Sequence, residues 1–155
     1  MRVGMGFDIH RLVPERPLIL GGVKIPHSKG LQGHSDADVL LHALCDALLG
    51  ALGAGDIGTY FPESDPQWKN AESRLFVEKA CELMRQKSFH IENVDLVLLT
   101  EEPRLSPFRG KIVQSIAHIL EISTDQVNVK AKTMEGLGPI GQQEAMAAYA
   151  TVLIQ

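Results

Sequence analysis

The chain has 155 residues, 45% hydrophobic and 22% charged, with a formal net charge of -4; this fits one domain with a sizeable core and excludes a disordered chain. The acidic balance speaks against a general binder of nucleic-acid backbone, and no run approaches the roughly 18 apolar residues that a membrane helix needs. The opening MRVGMGFDIH reaches charge too early for a secretory leader, so the expected location is the cytoplasm, with no nucleic-acid and no membrane partner.

In chain order, residues 3–10 and 17–25 read as strands, broken by Pro14, Pro17 and the Gly21-Gly22 pair. Ser35 followed by Asp38 has the spacing of a helix cap, and Val39, Leu40, Ala43, Leu44, Ala47 and Leu48 then recur at helical spacing until Gly50 and Gly53. A loop over residues 55–70 follows, long enough to suggest function. ESRLFVEKACELMRQK reads as an amphipathic helix, NVDLVLLT as a strand, and Ser106 with Pro107 as the start of the helix PFRGKIVQSIAHIL. Two strands, QVNVKAKT and EAMAAYATVLI, close the chain around a Gly-rich connection. The predicted fold is α/β of α+β type, a single-layer mixed sheet with helices on one face, in one domain over residues 1–155. Ala147, Ala148 and Ala150 in the last strand permit a close backbone neighbour, for which an oligomer core is one explanation. Cys45 and Cys81 fall inside apolar helical patterns and read as packed thiols.

Three groups carry chemistry. Asp8 and His10 alternate onto one side of the first strand; on these two residues alone a solvated edge or a hydrogen-bonded pair is the first reading and a ligand pair the second, because D-x-H has little specificity. Asp38, His42 and Asp46 form a polar stripe at i, i+4 and i+8 on the first helix. If that helix packs beside the first strand, Asp8, His10 and His42 supply one carboxylate and two imidazoles, the donor set of a zinc-type site with one open position; Asp38 or Asp46 would then orient an imidazole. His34 and Ser35 sit at the helix entrance, where N–H groups favour an anion or simply a cap. Lys130, Lys132, Thr133 and Glu135 could hold a diphosphate and a magnesium ion, or form a solvated strand end. GLGPIG, residues 136–141, matches a dinucleotide fingerprint in letters only, since a strand and not a helix should follow it. On these residues alone, a zinc hydrolase and a metal- or nucleotide-binding module stay open beside a phosphoryl-transfer enzyme.

GFDIHRL, GGVKIPHSKGLQGHSDADVLLHALCDALLGALGAGDIGTYFPESDP, RLSP and VNVKAKTMEGLG occur in an order and spacing that resemble the 2-C-methyl-D-erythritol 2,4-cyclodiphosphate synthase family along essentially the whole chain. The resemblance implies a metal-dependent phosphorus–oxygen lyase of non-mevalonate isoprenoid precursor biosynthesis. It would convert 4-diphosphocytidyl-2-C-methyl-D-erythritol 2-phosphate to the 2,4-cyclodiphosphate with release of CMP, in a homotrimer with sites between subunits. It implies a divalent zinc-like ion on Asp8, His10 and His42, and Mg or Mn with the substrate diphosphate on Glu135. His34 and Thr133 would be catalytic. Asp8, Ile9, His10, His34 and Ser35 would meet substrate, Asp56, Ile57 and Gly58 would hold the erythritol hydroxyls, and Phe61, Pro62, Glu63, Ser64 and Asp65 would form a lid. Thr100, Glu101, Glu102, Pro103, Arg104, Leu105 and Ser106, with Ala131, Lys132, Thr133, Met134 and Glu135, would enclose the CDP moiety from the next subunit. Lys132 and Met134 depart from the Thr common in the family, as do Pro139, Gln142 and Gln143 from its Gly-rich segment.

Overall fold

The computed structural model describes residues 1–62 and 64–155. Its centre is a five-stranded sheet in the order β4-β1-β7-β5-β6, formed by β1 (Arg2–Pro14), β4 (Lys29–Leu31), β5 (Ile91–Leu99), β6 (Val127–Lys132) and β7 (Ala145–Ile154). β7 pairs antiparallel with β1, from Arg2↔Ile154 to Arg11↔Ala145, and antiparallel with β5 on its other side. β5 and β6 pair in parallel, which requires the helical crossover α4 (Arg109–Leu120) between them. β1, β5 and β6 therefore run the same way, and their C-terminal ends share one edge of the sheet. The expected mixed sheet is present, and β2 (Leu18–Leu20) with β3 (Val23–Ile25) adds a separate hairpin.

The stretch over residues 17–25 breaks into that hairpin at Gly21-Gly22, where the turn signal lies, and β4 is a strand the sequence pattern did not announce. α4 begins at Arg109, later than Ser106-Pro107 implied, because Leu105 is buried and its carbonyl receives the Phe108 and Arg109 N–H groups in a turn. The loop over residues 55–70 holds a short helix, α2 (Ile57–Tyr60), and a 3-10 turn, Pro66–Trp68. GLGPIG contains one helical turn, α5 (Gly138–Gly141), before β7; that turn is too short to be the helix of a dinucleotide site.

α1 (Val39–Leu52) lies across β1 and β7, with α3 (Arg74–Gln86) packed on it. Gly4 and Gly6 make that approach possible: a Cβ at either would stand 1.9 Å from a carbonyl oxygen of α1, on Ala47 and Ala43 respectively. Ala150 and Ala148, opposite Gly6 and Asp8 across the ladder, are fully buried on the same side. The alanines of β7 thus serve packing within the chain; Ala147, on the other side, lies beneath Ile140. The near absence of side chains under α1 brings its polar stripe down onto β1.

Candidate functional site

Asp8 and His10 follow Gly4 and Gly6 on the α1 side of β1, and His42 faces them from the helix. Asp8 Oδ2 stands 2.8 Å from His10 Nε2 and 3.0 Å from His42 Nδ1, and the two nitrogens are 3.1 Å apart. Each imidazole is oriented from behind. His10 Nδ1 donates to the Gln32 carbonyl at 2.7 Å, which leaves Nε2 as a lone pair in the neutral ring. The Ser73 hydroxyl donates to Asp36 and so accepts from His42 Nε2 at 2.8 Å, leaving His42 Nδ1 as a lone pair. Asp8 Oδ1 accepts the Ile9 N–H at 2.9 Å, turning Oδ2 toward the imidazoles.

Three acceptor atoms therefore converge on one point, and only a positive centre reconciles them. Burial alone would raise the Asp8 pKa; with the imidazoles protonated, the hydrogen bonds and positive charge they present to Asp8 outweigh burial and hold the carboxyl well below the usual carboxylate range. The three residues form a group able to hold a metal ion. Zinc-type bonds of about 2.0–2.1 Å at tetrahedral angles separate ligand atoms by roughly 3.3 Å, near the 2.8–3.1 Å observed.

The expected orienting residues are not the observed ones. Asp38 is the cap of α1 and accepts N–H groups from Gly21, Gly22 and Leu41; its burial pushes the carboxyl up to about 6 against those donors. Asp46 accepts the Ile57 N–H at 2.7 Å, and partial burial raises its carboxyl. Neither orients an imidazole. Ser35, expected to cap α1, instead accepts the Ala37 N–H and lies 3.1 Å from His42 Nε2. Ser73 and Asp36 were missed, since a Ser before a helical run reads as its cap; Ser73 makes no such cap bond and turns to His42.

The triad opens into a cavity of about 300 Å³ lined by Asp8, His10, His34, Ser35, His42, Ile57, Gly58, Phe61, Trp68 and Phe76. His34 Nε2 is buried there without a partner. Asp56 caps α2 by accepting the Thr59 N–H and hydroxyl, bonds that lower its pKa. Phe61, expected as part of a lid, is buried in the cavity wall, its ring centroid 4.5 Å from that of Phe76 in a tilted contact and 5.0 Å from that of Trp68 edge to face. Pro62 and Ser64 are exposed, Asp65 caps the 3-10 turn, and Glu63 lies outside the described residues. The Ile9 side chain points away from the cavity, 48% exposed.

None of the residues expected around CDP lines this cavity. They gather at the C-terminal ends of β5 and β6, where the Thr100 N–H donates to the Lys132 carbonyl, Glu101 accepts the Met134 N–H at 2.6 Å, and Thr133 donates to Glu135 at 2.6 Å. Thr100 also donates to the Glu102 carbonyl, and Pro103 and Arg104 complete the turn ahead of Leu105. A separate groove of about 370 Å³ runs past Leu105, Ser106, Arg109, Ala131 and Lys132. Lys130, expected beside a diphosphate, is committed to Asp95 at 2.5 Å. Lys132 shares a sheet rung with Leu99, Ala147 and Ile9, on the face away from α1.

Among known proteins, the chain matches the YgbB family model over residues 1–155. It is 52% identical over 155 residues, all of this chain and 96% of the relative, to the 2-C-methyl-D-erythritol 2,4-cyclodiphosphate synthase of Thermosynechococcus vestitus. A solved 2C-methyl-D-erythritol-2,4-cyclodiphosphate synthase in a CDP-bound form superposes at TM-score 0.92, with 39% identity over 99% of this chain and 100% of that one. The bifunctional IspDF from Campylobacter jejuni superposes at 0.95 with 42% identity, over 99% of this chain and 42% of the larger protein.

Proposed function

The chain belongs to the YgbB family throughout its length, and from that premise we propose that the triad cavity is the metal half of a cyclodiphosphate synthase active site. The reaction is conversion of 4-diphosphocytidyl-2-C-methyl-D-erythritol 2-phosphate to 2-C-methyl-D-erythritol 2,4-cyclodiphosphate, in isoprenoid precursor biosynthesis. An oxygen of the 2-phosphate forms a bond to the β-phosphorus, the bond from that phosphorus to the bridging oxygen breaks, and CMP leaves with the electron pair. No water is consumed.

Asp8, His10 and His42 would hold a zinc-like ion, which when bound would supply positive charge to the phosphate under attack. His34 and Ser35 meet the phosphates from the cavity wall, and the unpartnered His34 Nε2 is suited to that contact. Asp56 and the Ile57-Gly58 backbone meet the hydroxyls. Phe61 and Phe76 exclude water, so that a phosphate and not water is the nucleophile. Thr133 steadies the transferring phosphoryl group, and Glu135 would hold Mg or Mn, whose charge would help neutralise the diphosphate. With Lys132 and the residues around it, they come from a neighbouring copy of a homotrimer, each copy one synthase domain over residues 1–155. What supports the neighbour is the separation of the two residue sets within one chain and the open apolar face of the sheet. No helix among the described residues is long and apolar enough to cross a membrane; the cytoplasm is the proposed location.

The observation that carries the reading is the convergence of three lone pairs whose directions are fixed by Gln32, Ser73 and Ile9. The test is CMP release with magnesium, before and after exhaustive chelation, run in ¹⁸O-labelled water. Chelator-sensitive release of CMP with an unlabelled cyclic product is expected. A labelled open-chain product would make the site hydrolytic, and bound zinc with no CMP would make it a binding module.

A further inference from the structure

We propose that Trp68 is a substrate-contacting residue, its indole N–H donating a hydrogen bond to an oxygen of the methylerythritol phosphate portion. Among the described residues, two buried side-chain polar atoms have no partner: His34 Nε2 and Trp68 Nε1. Both side chains line the triad cavity. An unpaired buried N–H costs roughly 1–3 kcal/mol, and native structures leave few such groups without a reason. Two in the wall of one cavity point to a shared partner that enters it.

The chemistry narrows that partner. An indole N–H donates only and carries no charge, so it cannot hold the cation of the triad and needs an oxygen acceptor. Trp68 ends the 3-10 turn Pro66–Trp68, and its ring meets Phe61 and Phe76 nearly edge to face, at 86° and 80°. Packing therefore holds the ring whether or not the nitrogen is used, and the N–H is a neutral donor set among apolar walls. Such a donor recognises a phosphate or hydroxyl oxygen while repelling neither phosphate through a misplaced charge. The inference rests on the synthase reading, since that reaction brings oxygen-rich groups beside an otherwise apolar wall.

Trp68 is the only tryptophan in the chain, so one indole resonance reports on it. In ¹⁵N-labelled protein, saturating 2-C-methyl-D-erythritol 2,4-cyclodiphosphate should move the indole proton downfield. Trp68→Phe keeps an aromatic wall and removes the donor; kcat/KM should fall about 10- to 100-fold, the worth of one hydrogen bond to a charged acceptor, while CDP binding and the thermal midpoint stay at parent values. An indole peak that stays put or moves upfield would mean the N–H is spent on the face of a neighbouring ring and would overturn the inference, as would undiminished kcat/KM in Trp68→Phe. If the variant fails to fold, the resonance of the parent still decides. A parent protein that releases no CMP would instead remove the synthase reading itself.

Discussion

On one side of β1, Gly4, Gly6, Asp8, His10 and Leu12 face α1; on the other, Val3, Met5, Phe7 and Ile9 remain 66%, 69%, 44% and 48% exposed. Alternation along a strand is indifferent to use, and these two faces show what distinguishes one use from another. The covered face has glycine where the helix touches and polar side chains where a ligand enters. The open face has large apolar side chains that nothing among the described residues covers, continued by Tyr149 with its ring 4.8 Å from that of Phe7. Along the same rungs the open face turns polar at Asp95, Lys130 and Lys132. A contiguous apolar patch rimmed by charge marks an interface, and it is the surface the proposed trimer would bury.

The comparison breaks most sharply at His42. His42→Ala should cut CMP release by 1,000-fold or more while far-ultraviolet dichroism holds and the thermal midpoint falls only slightly, because α1 gains a better helix former and loses, besides the ligand, the bond to Ser73 and the ring contact with Phe76; undiminished release would refute the metal assignment. Next comes the packing of the covered face. Gly6→Ala places a methyl where 1.9 Å separates it from the Ala43 oxygen, so α1 must lift, and a loss of about 3 kcal/mol or more in denaturant unfolding is expected. Gly50→Ala, whose Cβ would have nothing nearer than 3.8 Å, is the control and should cost nothing comparable. Ser73→Ala removes the acceptor behind His42 without touching the ion, and a 10- to 100-fold weaker metal affinity, read by competition with a chelator, is the expected result. On the open face, Phe7→Glu should lower the association state in sedimentation while each copy keeps its triad; an unchanged trimer would place the interface elsewhere. The smallest effect belongs to Lys130→Ala. Its pair with Asp95 is about two-fifths exposed on each side, and such pairs contribute roughly 0–1 kcal/mol.

The sequence was most legible where a local rule acts alone. The α1 periodicity and the period-2 placement of Asp8 and His10 both follow from spacing within one segment, whereas the parallel pairing of β5 with β6 joins distant segments and was not read. The triad needed one added assumption, that α1 packs beside β1; the alternating Gly4 and Gly6, whose role the structure shows, were a signal the sequence reading did not use. What stayed hidden depends on distant segments. Ser73 is 31 residues from His42 and Gln32 is 22 from His10, and no local pattern ties a carbonyl or a hydroxyl to a ring so far away. Asp38 and Asp46 were misassigned because they share a helix face with His42, yet backbone N–H groups of the β2–β3 turn and of α2 claim them first. Phe61 was expected in the lid, and its packing against Trp68 and Phe76 joins segments that no local pattern links.

The bond from Asp46 to the Ile57 N–H gives α1 a second task, that of a gauge. His42 and Asp46 are separated by one helical turn, roughly 6 Å along the axis at 1.5 Å per residue. The triad hangs from the first and the start of α2 from the second, so the gap between them is set by helix pitch, the least compressible length in the chain. A change in α2 sequence alters what the cavity touches; only a change in the register of α1 alters how far apart its two ends stand.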